Sequence, residues 1–101
     1  MKTLTEGHKY HLDNFEDKSK GQIIQFIEKT EGKNNTLVTV NDGTTNEELL
    51  EVLIDRLSFL NTKFPCRENS IVLTKLQESL MWLNKRTEDR KKRNVEGKHL
   101  A

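Results

Sequence analysis

The stretch whose reading decides the fold is Asn41–Asn61, "NDGTTNEELLEVLIDRLSFLN". Asp42-Gly43 is a turn dipeptide, and beyond it the hydrophobic period changes from two to about 3.6. Thr45 is a good N-cap, and Glu48 three residues on completes a capping box. Leu49, Leu50, Leu53, Ile54, Leu57 and Leu60 then recur at helical spacing. Pro65 ends any helix before it. Downstream, a second helix is predicted from Glu68 or Asn69, with Leu73, Leu76, Leu80 and Leu83 as its stripe, fading around Arg93-Asn94 with Gly97 beyond its end. Two amphipathic helices joined by so short a link make an antiparallel hairpin.

Upstream of Asn41 the pattern is strand-like. "TLVTV" (Thr36–Val40) alternates Thr36, Val38 and Val40 with Leu37 and Thr39. "QIIQFIEK" (Gln22–Lys29) is short and rich in β-branched and aromatic residues, which reads as a strand, although Ile23, Phe26 and Ile27 also suit one helical face. "TEGKNN" between them is a turn signal, so the two strands form a β-hairpin. "YHLDNF" (Tyr10–Phe15) supplies a third strand, with Tyr10, Leu12 and Asn14 on one face, and "EDKSKG" (Glu16–Gly21) is a turn or mobile loop. Residues 1–9 are polar and are expected to be loosely held. The fold class is therefore α+β: a small N-terminal antiparallel β-sheet (about residues 10–41) followed by a C-terminal antiparallel two-helix hairpin (45–94), in a single domain spanning 1–101.

Composition bounds what such a chain can do. Apolar and charged residues each make up 33% of the 101 residues, and mean hydropathy is −0.80. A domain this small buries only about two-thirds of the surface its unfolded chain exposes. With so few apolar residues a lone monomer is marginal, and an oligomer is expected. The net charge of +1 is unevenly spread. From Lys85 onward seven Lys/Arg (85, 86, 90, 91, 92, 93, 98) face three acids (88, 89, 96), a net of +4, which leaves −3 for the rest. A basic end favours an anionic partner; it also complements the macrodipole at a helix C-terminus, the simpler explanation of charge alone.

The sequence carries no recognisable catalytic or metal motif. His8 and His11 stand three apart and His99 far off, with no Cys or carboxylate cluster at metal spacing; surface histidines are the better reading. Cys66, the single cysteine, allows no intrachain disulfide, which fits a reducing compartment. It follows Pro65 near a helix N-terminus, where a thiol pKa can fall, yet no histidine stands in a recognisable relation to it, so a small packed residue is expected. There is no GxGxxG, P-loop or HExxH. No apolar run follows Met1, so no signal peptide is expected, and none approaches the roughly 20 residues of a membrane span. As an enzyme the sequence is empty, and no cofactor is implied.

Five residues invite a functional reading beside a plain one. Phe59 lies next to Leu60 but off its stripe: an edge-of-core side chain, or an aromatic plate for a base. Arg86 and Arg90 stand one helical repeat apart where the stripe of the second helix calls for more leucine. They pair with Glu88, Asp89 or acids of the facing helix, contributing little, or they grip one phosphate or pyrophosphate with planar forks of donors; the residues alone leave the two readings even. Met81 and Trp82 are adjacent and so point different ways, one toward the first helix and the other toward the sheet or another subunit, with core packing the simpler reading of both.

The run "TNEELLEVLIDRL…KFPCREN…LTKLQESLMWLNKRTEDRKKRNVEG", from Asn46 to Gly97 and about half the chain, resembles the helical-hairpin family of phage sponge proteins, which joins the first type of Thoeris anti-defence protein to an anti-CBASS branch. The strand-like "QIIQFIEK" and "LVTVNDGTTNEELL" are similar to the Thoeris branch, the other having helix there. The tail "VEGKHLA" departs from relatives that carry threonine after the glycine. The resemblance implies a non-catalytic protein that sequesters a glycocyclic ADP-ribose isomer made by TIR-domain enzymes, in the cytoplasm of the infected bacterial host. It also implies assembly as a dimer or a hexamer (a trimer of dimers), some members taking cyclic di- or trinucleotides at other sites. Carried over by motif, the ligand residues are Phe59 in "SFLN", Asn69 in "CREN", and Arg86 and Arg90 in "RTEDR", with Glu16–Gly21 as the candidate lid. Asn69 is implied to bond a base edge or ribose, Phe59 to stack on adenine, and the arginines to hold the pyrophosphate.

Geometry adds a constraint. Arg86 is 17 residues past Asn69 on one helix, about 25 Å at 1.5 Å per residue. One chain cannot bring all four around one small nucleotide, whereas two antiparallel hairpins can, giving a two-fold dimer with two equivalent pockets. Competing expectations are a sponge for CBASS cyclic oligonucleotides, a small nucleic-acid-binding protein using Lys85–Lys98, an enzyme that degrades the messenger, and a plain interaction module with solvated arginines. Glu88 and Asp89 within the basic cluster weaken the nucleic-acid reading.

Overall fold

The structure, a computed structural model, describes residues 1–93. It divides between Thr45 and Asn46 into two compact units. The first holds five strands: β1 (Lys2–Thr5), β2 (Lys9–Asp13), β3 (Gly21–Gln25), β4 (Glu28–Glu31) and β5 (Leu37–Asn41). The second is the helical hairpin, α1 (Asn46–Lys63) and α2 (Arg67–Lys92). The architecture is α+β, antiparallel sheets followed by a two-helix hairpin, as the change of hydrophobic period at Asp42-Gly43 requires.

Strands β1-β2-β3 form an antiparallel sheet in that order, and β4-β5 a separate two-stranded ribbon. Tyr10 pairs with Ile24 and Leu12 with Gln22, so Tyr10 and Leu12 share a face, as their alternation indicates. Three strand expectations are corrected. The polar start of the chain is not loosely held, because Thr3 and Lys2 pair with Tyr10 and His11. An edge strand needs only its backbone to join a sheet, and the turn back is closed by His8 N–H donating to Thr5 O at 3.0 Å around Gly7 at φ +76°, a conformation open to glycine. Secondly, Gln22–Lys29 is not one strand. It changes partners at Phe26-Ile27: Phe26 N–H donates to His8 O (2.7 Å), Ile27 N–H to Thr44 O (2.9 Å), and Thr44 N–H to Gln25 O (2.8 Å). Thirdly, the last strand starts at Leu37, because Thr36 closes the preceding turn with its N–H on Lys33 O at 3.2 Å. Asn34 and Asn35 carry that turn at φ +58° and +59°, left-handed positions that asparagine tolerates well.

Thr44 passes close beside β3, so the residue before it must be small. A Cβ on Gly43 would stand 2.3 Å from Gln25 O and 2.7 Å from the Phe26 carbonyl carbon. Phe26 meets Tyr10 edge to face, ring centroids 6.0 Å apart. The loop Glu16–Gly21 is a hydrogen-bonded turn. Asn14 N–H donates to Lys20 O at 2.8 Å and Lys20 N–H to Asp17 O at 3.1 Å, while Ser19 donates both its N–H and its hydroxyl to the Asp17 carboxylate.

In the hairpin, Thr45 immediately precedes the first residue of α1. Helix α2 begins at Arg67, one or two residues earlier than expected, because Cys66 serves as its N-cap: extended at φ −151°, its Sγ accepts the Asn69 N–H at 3.4 Å. Cys66 is exposed, so its expected place as a packed side chain is corrected to a cap. Helix α2 ends at Lys92 with Arg93 as C-cap; Asn94, Gly97, Lys98, His99 and the "VEGKHLA" tail lie outside the described residues. No helix among the described residues is long and apolar enough to cross a membrane.

Candidate functional site

The half-buried positions of α2 are Asn69, Leu73, Leu76, Leu80, Leu83, Thr87 and Arg90, together with Asp89. Their steps of four and three alternate, the 3.5-residue period of a helix seam. On α1 the matching seam runs Glu47, Leu50, Ile54, Leu57 and Asn61, flanked by Leu49 and Leu60. This corrects the expectation for the arginines. After Leu83 the seam continues through Thr87 and Arg90, and Arg86 stands beside it, exposed. Arg90 lies against the partner helix's side of α2; Arg86 points away and has no hydrogen bond or ion pair among the described residues. An ion pair here joins Lys85 and Asp89 at 3.8 Å across one exposed turn, worth at most about 1 kcal/mol.

No residue of either helix is fully buried. Two helices facing each other cover one stripe apiece and leave their outer sides in water. On those sides stand Val52, Phe59, Ile71, Val72, Met81 and Trp82, each 42–57% exposed. Core packing of Phe59, Met81 and Trp82, the simpler expectation, does not occur within one hairpin, because none of the three falls on a seam position.

At the turn end of the hairpin, Phe59 looks out from α1 with Lys63 Nζ 4.7 Å from its ring centroid, a cation–π contact at one-turn spacing. Val52, Asp55, Phe59 and Thr62 line one open concavity along that face. Asn69 sits in the first turn of α2, half-buried, its N–H engaged by the Cys66 cap and its carboxamide without a partner among the described residues. The turn itself is locked by Asn61, which sequence reasoning passed over inside "SFLN". Its Oδ1 accepts the Cys66 N–H at 3.0 Å and its Nδ2 donates to Ser70 Oγ at 3.1 Å. The Ser70 hydroxyl in turn donates to Cys66 O at 3.3 Å. A polar residue continuing the stripe of Leu50, Ile54 and Leu57 is the signal that could have found it.

At the other end, Trp82, Lys85, Arg86, Asp89 and Arg93 line a shallow depression on the outer side of α2. A groove between the helices runs past Ile54, Leu80, Met81 and Asn84. Because α2 is a single uninterrupted helix of 26 residues, Asn69 and Arg86 are held about 25 Å apart. The structure thus brings Phe59 and Asn69 to the turn end and Arg86 and Arg90 to the opposite end, and it does not bring the four together within one chain. The lid candidate belongs to the β unit. There the two Ser19 donors hold the Asp17 carboxyl below its ordinary pKa, and Phe15 at the base of the loop is 91% exposed. Among the described residues no cluster of His, Cys, Asp and Glu could hold a metal ion; His11 Nδ1 lies 3.3 Å from Asp13 Oδ1 within the sheet.

Comparison with known proteins bears on this arrangement. Residues 22–88 match the family model described as Acb2/Tad1, hairpin domain, a span that takes in Phe59, Asn69 and Arg86 and ends two residues before Arg90. Over 59 residues the chain is 54% identical to "Thoeris anti-defense 1" of Bacillus phage SBSphiJ7, covering 57% of this chain and 42% of that protein. The chain thus aligns with less than half the length of that relative.

Proposed function

The chain belongs to the Acb2/Tad1 hairpin-domain family, and we propose that it is a non-catalytic phage sponge that binds and sequesters a TIR-derived glycocyclic ADP-ribose, blunting Thoeris immunity in the cytoplasm of the infected host. The observation that carries this reading is the 54% identity to a protein named for Thoeris anti-defence. The site chemistry agrees with it. A glycocyclic ADP-ribose offers an adenine, riboses and a pyrophosphate, and the four residues offer a ring, a carboxamide and two guanidinium forks. Phe59 stacks the adenine, Asn69 bonds a base edge or ribose, and Arg86 and Arg90 hold the pyrophosphate through charge-assisted bonds. That Arg86 is exposed without an internal partner favours the ligand reading over the solvated pair.

The pocket in this proposal is composite. With about 25 Å between the two half-sites, the turn of one hairpin meets the arginine end of another in an antiparallel two-fold dimer, and each dimer carries two pockets. The exposed apolar outer faces give such a dimer, or a trimer of dimers, surface to bury. A sponge needs tight binding and slow release and has no use for turnover. Calorimetric titration with glycocyclic ADP-ribose isomers, followed by heat denaturation and identification of what is released, tests the reading. Tight binding with unchanged nucleotide recovered is expected. Altered nucleotide would make the protein an enzyme, and absence of binding would overturn the assignment. A second reading, a sponge for cyclic di- or trinucleotides alone or at a further site, draws on the family model's joining of both branches, and the same titration with those ligands decides it.

A further inference from the structure

We propose that Trp82 is a further ligand-contacting residue, a stacking plate for a planar base of the bound nucleotide, with Arg93 as a third cation beside the phosphate held by Arg86; this rests on the nucleotide-sponge reading. Around the axis of α2, at 100° per residue, Trp82, Arg86, Asp89 and Arg93 fall within about 60° of one another. Arg90 lies about 40° beyond Arg86, at the edge of the same face. The side of the helix that carries Arg86 therefore also carries the indole. Trp82 is 56% exposed, an unfavourable place for the largest apolar side chain unless something covers it. Its neighbours in the depression are cations: Lys85, Arg86 and Arg93 against one acid, Asp89, whose charge is shared with Lys85.

An aromatic face rimmed by cations is the chemistry that receives a base carrying phosphate. Trp82 and Arg86 are one helical turn apart, about 6 Å along the axis, a span comparable with that from a base to its phosphates. An apolar partner helix would instead be opposed here by the net positive charge that remains after Asp89 is set against Lys85, so the charge pattern favours a small anion. In a composite pocket the single adenine is then sandwiched between two chains, Phe59 from one copy on one face and Trp82 from the other copy on the opposite face.

Trp82 is the sole tryptophan, so intrinsic fluorescence reports on it alone. Wild-type protein is titrated with glycocyclic ADP-ribose while calorimetry follows the same additions. The expected result is quenching that saturates with the calorimetric isotherm, at unchanged sedimentation coefficient. Trp82→Ala is expected to weaken binding about 5- to 150-fold, the factor corresponding to loss of one stacked base, while Trp82→Phe keeps the ring and most of the affinity. Because Trp82→Ala could disturb assembly, the Phe variant and Arg93→Ala, which should weaken binding and spare folding, serve as independent checks. Heat of binding without a fluorescence change, or full affinity in Trp82→Ala, overturns this inference and leaves the sponge reading standing. No heat and no fluorescence change overturns both.

Discussion

Replacing Arg86 by alanine separates ligand binding from folding in this chain. Arg86 is exposed, off the helix seam, and without an ion-pair partner among the described residues, so the substitution removes nothing that the hairpin uses. Surface changes of this kind stay within about ±0.5 kcal/mol of stability. Binding is another matter. A hydrogen bond to a charged group contributes about 1.5–3 kcal/mol, and on the proposed pose Arg86 makes at least one to the pyrophosphate. The expected loss is therefore roughly tenfold to more than a hundredfold in Kd at an unchanged melting temperature. Arg86→Lys keeps the charge but not the planar fork, and its affinity should fall between. Arg90→Ala should weaken binding as well, with a measurable drop in melting temperature because Arg90 is half-buried on the seam. Calorimetry and thermal melting of the three variants are the assay. Arg86→Ala binding within twofold of wild type, or an Arg86→Ala melting loss as large as that of Arg90→Ala, would refute the reasoning.

The turn and the β unit make further expectations. Asn61→Ala removes the acceptor for Cys66 N–H and the donor to Ser70 and should cost about 1–3 kcal/mol, read by denaturant melting; a loss below about 0.5 kcal/mol would show that the turn holds without it. Cys66→Ser places a preferred N-cap where a thiol now accepts at 3.4 Å, and should raise stability by up to about 1 kcal/mol; a fall in melting temperature would contradict the capping role. Asp17, held below its ordinary pKa by the Ser19 donors, favours the built turn at neutral pH, an effect lost as pH falls through the lowered folded-state value. An NMR carboxyl titration should find its midpoint below that of an ordinary aspartate, and Ser19→Ala, which removes the hydroxyl but keeps the N–H donor, should raise it toward the ordinary value.

Much of the fold is legible because its helices share one device, a repeated leucine spacing bounded by Thr45, Pro65 and the charged run after Leu83. The finer placement of Arg86 was not, since three residues from Leu83 and four from Leu83 look equally helical until the alternating steps of Leu73, Leu76, Leu80 and Leu83 are extended to Thr87 and Arg90. In the β unit, Gln22–Lys29 is uniformly strand-like by composition. Its break at Phe26 comes from Thr44, a residue 18 positions later, and no local pattern encodes that contact. Strand β1 was hidden for a related reason, as pairing through the backbone of Lys2–Thr5 leaves its side chains free to be polar. The four proposed ligand residues rest on motif resemblance. Their separation to opposite ends of the hairpin follows from helix geometry once α2 is continuous.

A mixed-subunit experiment tests the composite pocket most directly. Phe59→Ala and Arg86→Ala chains are prepared separately, each defective in binding, then combined under conditions of subunit exchange and titrated with glycocyclic ADP-ribose. If each pocket takes Phe59 and Asn69 from one chain and Arg86 and Arg90 from the other, half of the randomly formed dimers are mixed and each contains one fully native pocket. Wild-type affinity should then return at about a quarter of the wild-type number of sites. Failure of the exchanged mixture to recover any high-affinity site, with exchange verified by mass-tagged chains, would contradict a pocket shared between two hairpins.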